Sequence, residues 1–171
     1  KPARQLVTAF DTPTCSHCSA NVKGDAVVSM DDRSFDRANS DYVNVGMRTY
    51  NIASNGGFTL VSKVRFTATP VHGYERIFQT SNALQASNDD IQILRSGTGN
   101  MIEIWVGEGS TYCNKADIPF EQNTWYTIVF RYVTESKLMS LELNGIRYEK
   151  VCDSNFIVTD RTNRNNFIGK G

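Results

Sequence analysis

Acidic side chains sharing one strand are the first place to look for chemistry, and the run 101–108, MIEIWVGE, carries two of them. A retaining glycosidic cleavage needs two carboxyl groups about 5–5.5 Å apart. Glu103 and Glu108 are five positions apart, so the alternation of a regular strand sends them to opposite faces. No catalytic carboxylate pair is assigned. His17 and His72 are the only histidines. His17 lies between Cys15 and Cys18, an arrangement that can activate a thiol, although a loop histidine is the plainer reading. The sequence has no G-x-S-x-G, no phosphate-cradling loop and no H-E-x-x-H. The expectation is a protein that binds and is not an enzyme.

Binding chemistry has a better starting point in the same run. Ile102, Ile104 and Val106 alternate with Met101, Glu103 and Trp105. If the aliphatic set is core, Trp105 is presented outward. Sugar rings stack their apolar C–H faces on aromatic rings, while carboxylates, guanidiniums and ammoniums bond the hydroxyls. Trp105, Glu103, Arg131 and Lys63 are therefore the expected ligand-binding set, provided all four share the polar face of one sheet. In the competing reading Trp105 covers other structure and the charges are ordinary cross-strand pairs.

The cysteines Cys15, Cys18, Cys113 and Cys152 admit a zinc site or two disulfides. A zinc ribbon normally offers a second C-x-x-C, whereas Cys113 and Cys152 stand 39 residues apart at the ends of strand-like runs. A Cys113–Cys152 bridge is expected, with Cys15–Cys18 as a second, tighter one. Disulfides would imply an oxidising compartment, so the expected location is extracellular or secreted, or an organelle reached after removal of a targeting segment.

The elements that must position these groups are strands. At 171 residues, with 40% hydrophobic and 21% charged residues, the chain has the composition of one globular domain. Lys+Arg and Asp+Glu are both 18, and no basic run occurs, so neither nucleic acid nor an anionic membrane is the expected partner. No apolar stretch reaches the roughly 20 residues of a membrane span. Residues 1–24 lack periodicity and read as an extended N-terminal arm. From Asp25 onward, short Val/Ile/Thr/Phe/Tyr runs recur between Gly, Asn, Asp and Ser clusters. In 58–66 (FTLVSKVRF), Phe58, Leu60, Val64 and Phe66 oppose Thr59, Lys63 and Arg65. In 125–132 (WYTIVFRY), Tyr126, Ile128, Phe130 and Tyr132 oppose Thr127 and Arg131. Asn144-Gly145 between two such runs predicts a type I′ hairpin turn. The predicted class is all-β, an antiparallel sandwich.

Five segments in order resemble the laminin G-like, concanavalin A-like jelly rolls. SFDRANSDYVNVG (34–46) is similar to that family's FDG-x-x-DYV-x-VG opening, and GGFTLVSKVRF (56–66) to the strand that follows it. NTWYTIVFRY (123–132) resembles N-x-W-Y-H-V, LMSLELNGIRY (138–148) the L-x-L-Y-V-N-G hairpin, and NNFIGKG (165–171) the terminal I-G segment. The resemblance covers about 25–171 and implies a jelly roll, with a form that lacks its closing strand as the alternative. It places Trp125 in the core. Hydrolases on such folds carry E-x-D-x-x-E, from which MIEIWVGE departs by placing Trp105 where the assisting Asp would stand. The resemblance also implies calcium as a possible cofactor, held by Asp36 and Asp41 or by Asp89 and Asp90, residues that turns favour in any case. Its members bind glycans or glycoproteins, which is the leading expectation. The second is a structural subunit docking protein partners through its surface, its arm and an open sheet edge, and a hydrolase ranks third.

Overall fold

The computed structural model describes residues 5–7, 21–23, 27–28, 33–34, 42–44, 48–66, 75–81, 90–96, 99–163 and 165–169. Cys15, His17, Cys18, Asp36, Asp41, His72 and Asp89 lie outside the described residues. Among the described residues the strands form two seven-stranded antiparallel sheets and one two-stranded pair. The first runs in the order β14 (Ile146–Val151), β13 (Leu138–Leu143), β12 (Trp125–Val133), β7 (Gly57–Arg65), β1 (Gln5–Val7), β4 (Arg33–Ser34), β3 (Val27–Val28). The second runs β11 (Thr111–Pro119), β10 (Met101–Glu108), β9 (Ile91–Ser96), β8 (Glu75–Ser81), β16 (Asn165–Ile168), β5 (Tyr42–Asn44), β2 (Asn21–Lys23). β6 (Arg48–Tyr50) and β15 (Arg161–Asn163) form a separate pair.

The period-two pattern decides which face closes. In β12, Ile128, Phe130 and Tyr132 are buried, and they meet Leu60 and Phe58 of β7 and Leu143, Leu141 and Met139 of β13 across the ladders. Ile102, Ile104 and Val106 of β10 are buried from the other sheet, as the sequence predicts. One apolar cluster joins both sets, so the layers are held by non-directional burial of interdigitating aliphatic and aromatic groups. Phe58 sets its edge against Phe130 at 5.2 Å, the preferred arrangement for two ring quadrupoles.

Two strands lie within 1–24. Val7 of β1 pairs with Lys63 of β7, and β2 borders β5 at the rim of the second sheet. Trp125 corrects an expectation: it is only half-buried and faces away from the core, with Lys63 Nζ 5.4 Å and Arg65 Cζ 5.0 Å from its ring centre. The alternation explains this, since Trp125 is in phase with Thr127 and Arg131 and out of phase with Ile128. The hairpin turn is as expected, with φ of 48° at Asn144 and 89° at Gly145.

Cys113 and Cys152 form a disulfide with a Cα–Cα distance of 5.6 Å. Cys113 belongs to β11, the edge of one sheet, and Cys152 follows β14, the edge of the other. The bridge therefore clips the two layers together along one open side.

Candidate functional site

The site is built on β10 and its neighbours, on the face of the second sheet that turns away from the core. Trp105 lies opposite Gln92 of β9 and Asn114 of β11, and Gln92 lies opposite Gln79 of β8. A row Gln79–Gln92–Trp105–Asn114 thus crosses four strands, an amide-rich lane with one indole in it.

Local features set the geometry of this lane. Tyr112 is paired with Gly107, and the missing side chain there leaves room for the phenol to lean diagonally over Trp105. The two rings stack at 4.3 Å with 16° between their planes, and Tyr112 remains 54% exposed. Next to them β11 bulges: Ile102 pairs with Ile118 but Ile104 with Lys115, and Asp117 takes φ 60°. Two residues of β11 then face Glu103 where one would in a regular ladder. Glu103 is nearly enclosed and accepts a 2.8 Å hydrogen bond from Asn114 Nδ2.

Asp90 immediately precedes β9 and is fully buried. Its Oδ2 accepts from Gln92 Nε2 at 2.7 Å and from Gln79 Nε2 at 3.4 Å, while its carbonyl accepts from Gly107 N at 2.7 Å. The carbonyl oxygens Gln79 Oε1 and Gln92 Oε1 are buried without a hydrogen-bond partner among the described residues. Among the described residues no group of three or more metal-ligating side chains comes together, and the Asp90 carboxylate is engaged by amides.

Of the four residues expected to bind ligand together, the fold joins two. Trp105 and Glu103 share the outward face of β10, but Lys63 is on β7 and Arg131 on β12, both in the other sheet. The single platform does not form, because all four lie on polar faces but those faces belong to opposite layers. Lys63 and Arg131 stand with Trp125 on the far side of the molecule. Tyr112 and Asn114 were missed by sequence reasoning. The only available signal was Gly107 inside an alternating strand, and without register it does not say which residue fills the gap.

Glu103 and Glu108 do stand on opposite faces of β10. Glu108 forms an ion pair with Arg161, accepts from Thr159 N at 3.2 Å, and lies where Arg161 Nη1 also donates to the Gly107 carbonyl at 2.9 Å. A carboxylate tied to a nearly buried guanidinium at the strand end serves as a structural anchor.

The architecture and topology define the concanavalin A-like class of β-sandwich, and solved structures bear this out. The chain is similar to part of tailspike protein 2 of Escherichia coli O157:H7 bacteriophage CAB120, with TM-score 0.58 and 12% identity over 95% of this chain and 24% of that one. It is also similar to the carbohydrate recognition domain of Emp47p, with TM-score 0.53 and 11% identity over 98% of this chain and 86% of that one. The chain thus spans about a quarter of the tailspike's length. No family model and no curated protein matches the sequence. At these identities the likeness is one of fold.

Proposed function

We propose that this domain recognises a glycan, free or on a glycoprotein, through the outward face of its second sheet, and does not cleave it. The observation that carries the reading is the Trp105–Tyr112 stack, an aromatic surface flanked by Asn114 and Glu103. The aromatic pair offers a C–H-binding face, and the Asn114 amide, held in place by the enclosed Glu103 carboxylate, fixes hydroxyl orientation. The separation of Glu103 from Glu108 onto opposite faces supports recognition without hydrolysis. The carbohydrate recognition domain with which the chain shares its fold supports the same class of ligand. The disulfide is consistent with a secreted or extracellular setting.

The test is a glycan array probed with the wild-type domain and with Trp105→Ala, with and without calcium. Binding should weaken about tenfold or more in the variant, the equivalent of roughly 1.4 kcal/mol. Unchanged binding in Trp105→Ala, or no binding by the wild type under either condition, would count against the reading.

A second reading, a structural subunit of a larger assembly, is favoured by one feature of the first sheet. Val133, Leu138 and Val151 lie in one cross-strand row on its outer face, and Val133 is 40% and Val151 65% exposed. Such a row suits a protein contact. Sedimentation of the native molecule separates the two readings, since a strictly monomeric species across a concentration series removes this one.

A further inference from the structure

Beside the Trp105–Tyr112 stack, the open side of the sandwich contains a cleft of about 380 Å³ between the edge strands β11 and β14. Its floor is the Cys113–Cys152 bridge, and its walls carry Ser110, Thr111, Tyr112, Asn114, Lys150 and Asp153. We propose that this cleft holds the terminal neutral hexose of an oligosaccharide whose next unit lies over Trp105 and Tyr112. The proposal rests on the glycan reading above and fixes where the chain end sits and what charge it carries.

Three features argue for it. The first is continuity: Tyr112 belongs both to the stack and to the cleft wall, and Asn114, opposite Trp105, lines the cleft as well, so one ligand can engage both without crossing open surface. The second is chemical balance. The Lys150 ammonium and the Asp153 carboxylate both line the cleft, and neither is engaged by another side chain among the described residues. Asn114 donates to Glu103 through Nδ2, which leaves its Oδ1 as an acceptor. A sugar hydroxyl donates one hydrogen bond and accepts others, so one hydroxyl can accept from Lys150 while donating to Asp153, and its neighbour on the ring can donate to Asn114. Because the cleft carries one charge of each sign, a uronate or an amino sugar gains from one and loses to the other, whereas a neutral sugar can satisfy both.

The third feature is rigidity and size. Ligand pockets span about 300–1,000 Å³, and this one is near the lower limit, with room for about one or two sugar rings. Both of its walls are held by the disulfide, so little ordering is left to occur on binding.

The experiment measures affinity for immobilised manno-, gluco- and galacto-oligosaccharides and for uronate-terminated counterparts. Wild type, Lys150→Met, Asp153→Asn and Trp105→Ala are compared, and the melting temperature of each is recorded. Lys150 and Asp153 are exposed, so their variants should melt with the wild type. Each should bind the neutral probes about tenfold more weakly, and Asp153→Asn should also narrow the discrimination against uronate-terminated probes. If both cleft variants bind at full strength while Trp105→Ala does not, the cleft proposal is overturned and the glycan reading survives. Preference of the wild type for uronate-terminated probes overturns the neutral assignment. If the wild type binds no probe, both fall.

Discussion

Tyr132 shows how burial of a single polar atom sets a pH limit on the molecule. Its ring packs against Phe58 and Phe156 in the core, and its hydroxyl is enclosed with no hydrogen-bond partner among the described residues. Burial, with the Glu108 carboxylate as the lesser cause, pushes its pKa above the ordinary tyrosine value, because both disfavour a phenolate. The folded state therefore holds this proton more tightly than the unfolded chain. Stability from this group is intact below about pH 10, the ordinary tyrosine range, and declines as pH rises from there through the raised folded value. Tyr132→Phe should flatten that alkaline decline in urea titrations run from pH 8 to 11. At pH 7 it should cost less than about 1 kcal/mol or even stabilise, since the atom removed makes no bond. A steep loss of stability in Tyr132→Phe at neutral pH would mean that the hydroxyl is satisfied after all.

At the scale of the element, the β13–β14 hairpin shows why asparagine occupies its turn. The β12–β13 ladder pairs its residues up to Ile128 with Leu143. Beyond that point the Asn144 side chain continues it, accepting from Thr127 N at 2.8 Å through Oδ1 and donating to the Trp125 carbonyl at 2.9 Å through Nδ2. The amide thus acts as one more peptide unit in the ladder, and the residue also tolerates the φ of 48°. Asn144→Ala should destabilise by about 2 kcal/mol, from two lost hydrogen bonds and from alanine's poorer tolerance of the left-handed region, which an asparagine side chain eases by local hydrogen bonding. Asn144→Asp should be intermediate or worse, since a carboxylate accepts from Thr127 but is repelled by the Trp125 carbonyl. Denaturant midpoints for the two variants decide it. An Asn144→Ala protein as stable as wild type would show that the side-chain ladder contributes nothing.

For the molecule as a whole, the main question is what keeps the two sheets in register. Apolar burial between them is extensive but non-directional. A charged plug sits within it: Arg95 is fully buried, lies over Phe66 and Phe120 at 5.2 and 5.0 Å, and pairs with Glu75 at 3.5 Å. Asn100 Oδ1 accepts from its Nη2 at 3.1 Å. The covalent link is Cys113–Cys152, which closes a loop of 39 residues and so restricts the unfolded chain by about 4 kcal/mol on the entropic model. Cys113→Ser with Cys152→Ser should lower unfolding free energy by about 2–4 kcal/mol and leave the far-ultraviolet circular dichroism of the folded state unchanged. A reductant should lower the stability of the wild type by at least this amount. Equal stability of oxidised and reduced protein would remove the bridge from this account.

The sequence by itself determined everything that depends on local alternation. The all-β class, the inward Ile102, Ile104 and Val106, the outward Trp105 and the I′ turn at Asn144-Gly145 were legible because period two and turn chemistry are written residue by residue, and the Cys113–Cys152 pair was expected from cysteine spacing. Alternation reports only in or out, however, and both sheets of a sandwich have an outer face. Lys63, Arg131 and Trp105 therefore carried the same sequence signal although they belong on opposite sides. Trp125 was expected in the core from its motif, yet its phase in β12 turns it outward. Tertiary structure alone decided the partners. Strand order placed Asn114 and Gln92 on either side of Trp105, the β11 bulge brought Asn114 to Glu103, and the pairing of Tyr112 with Gly107 let one ring lie on the other. Each of these depends on long-range register, which is fixed by the packing of two layers and by no single stretch of chain.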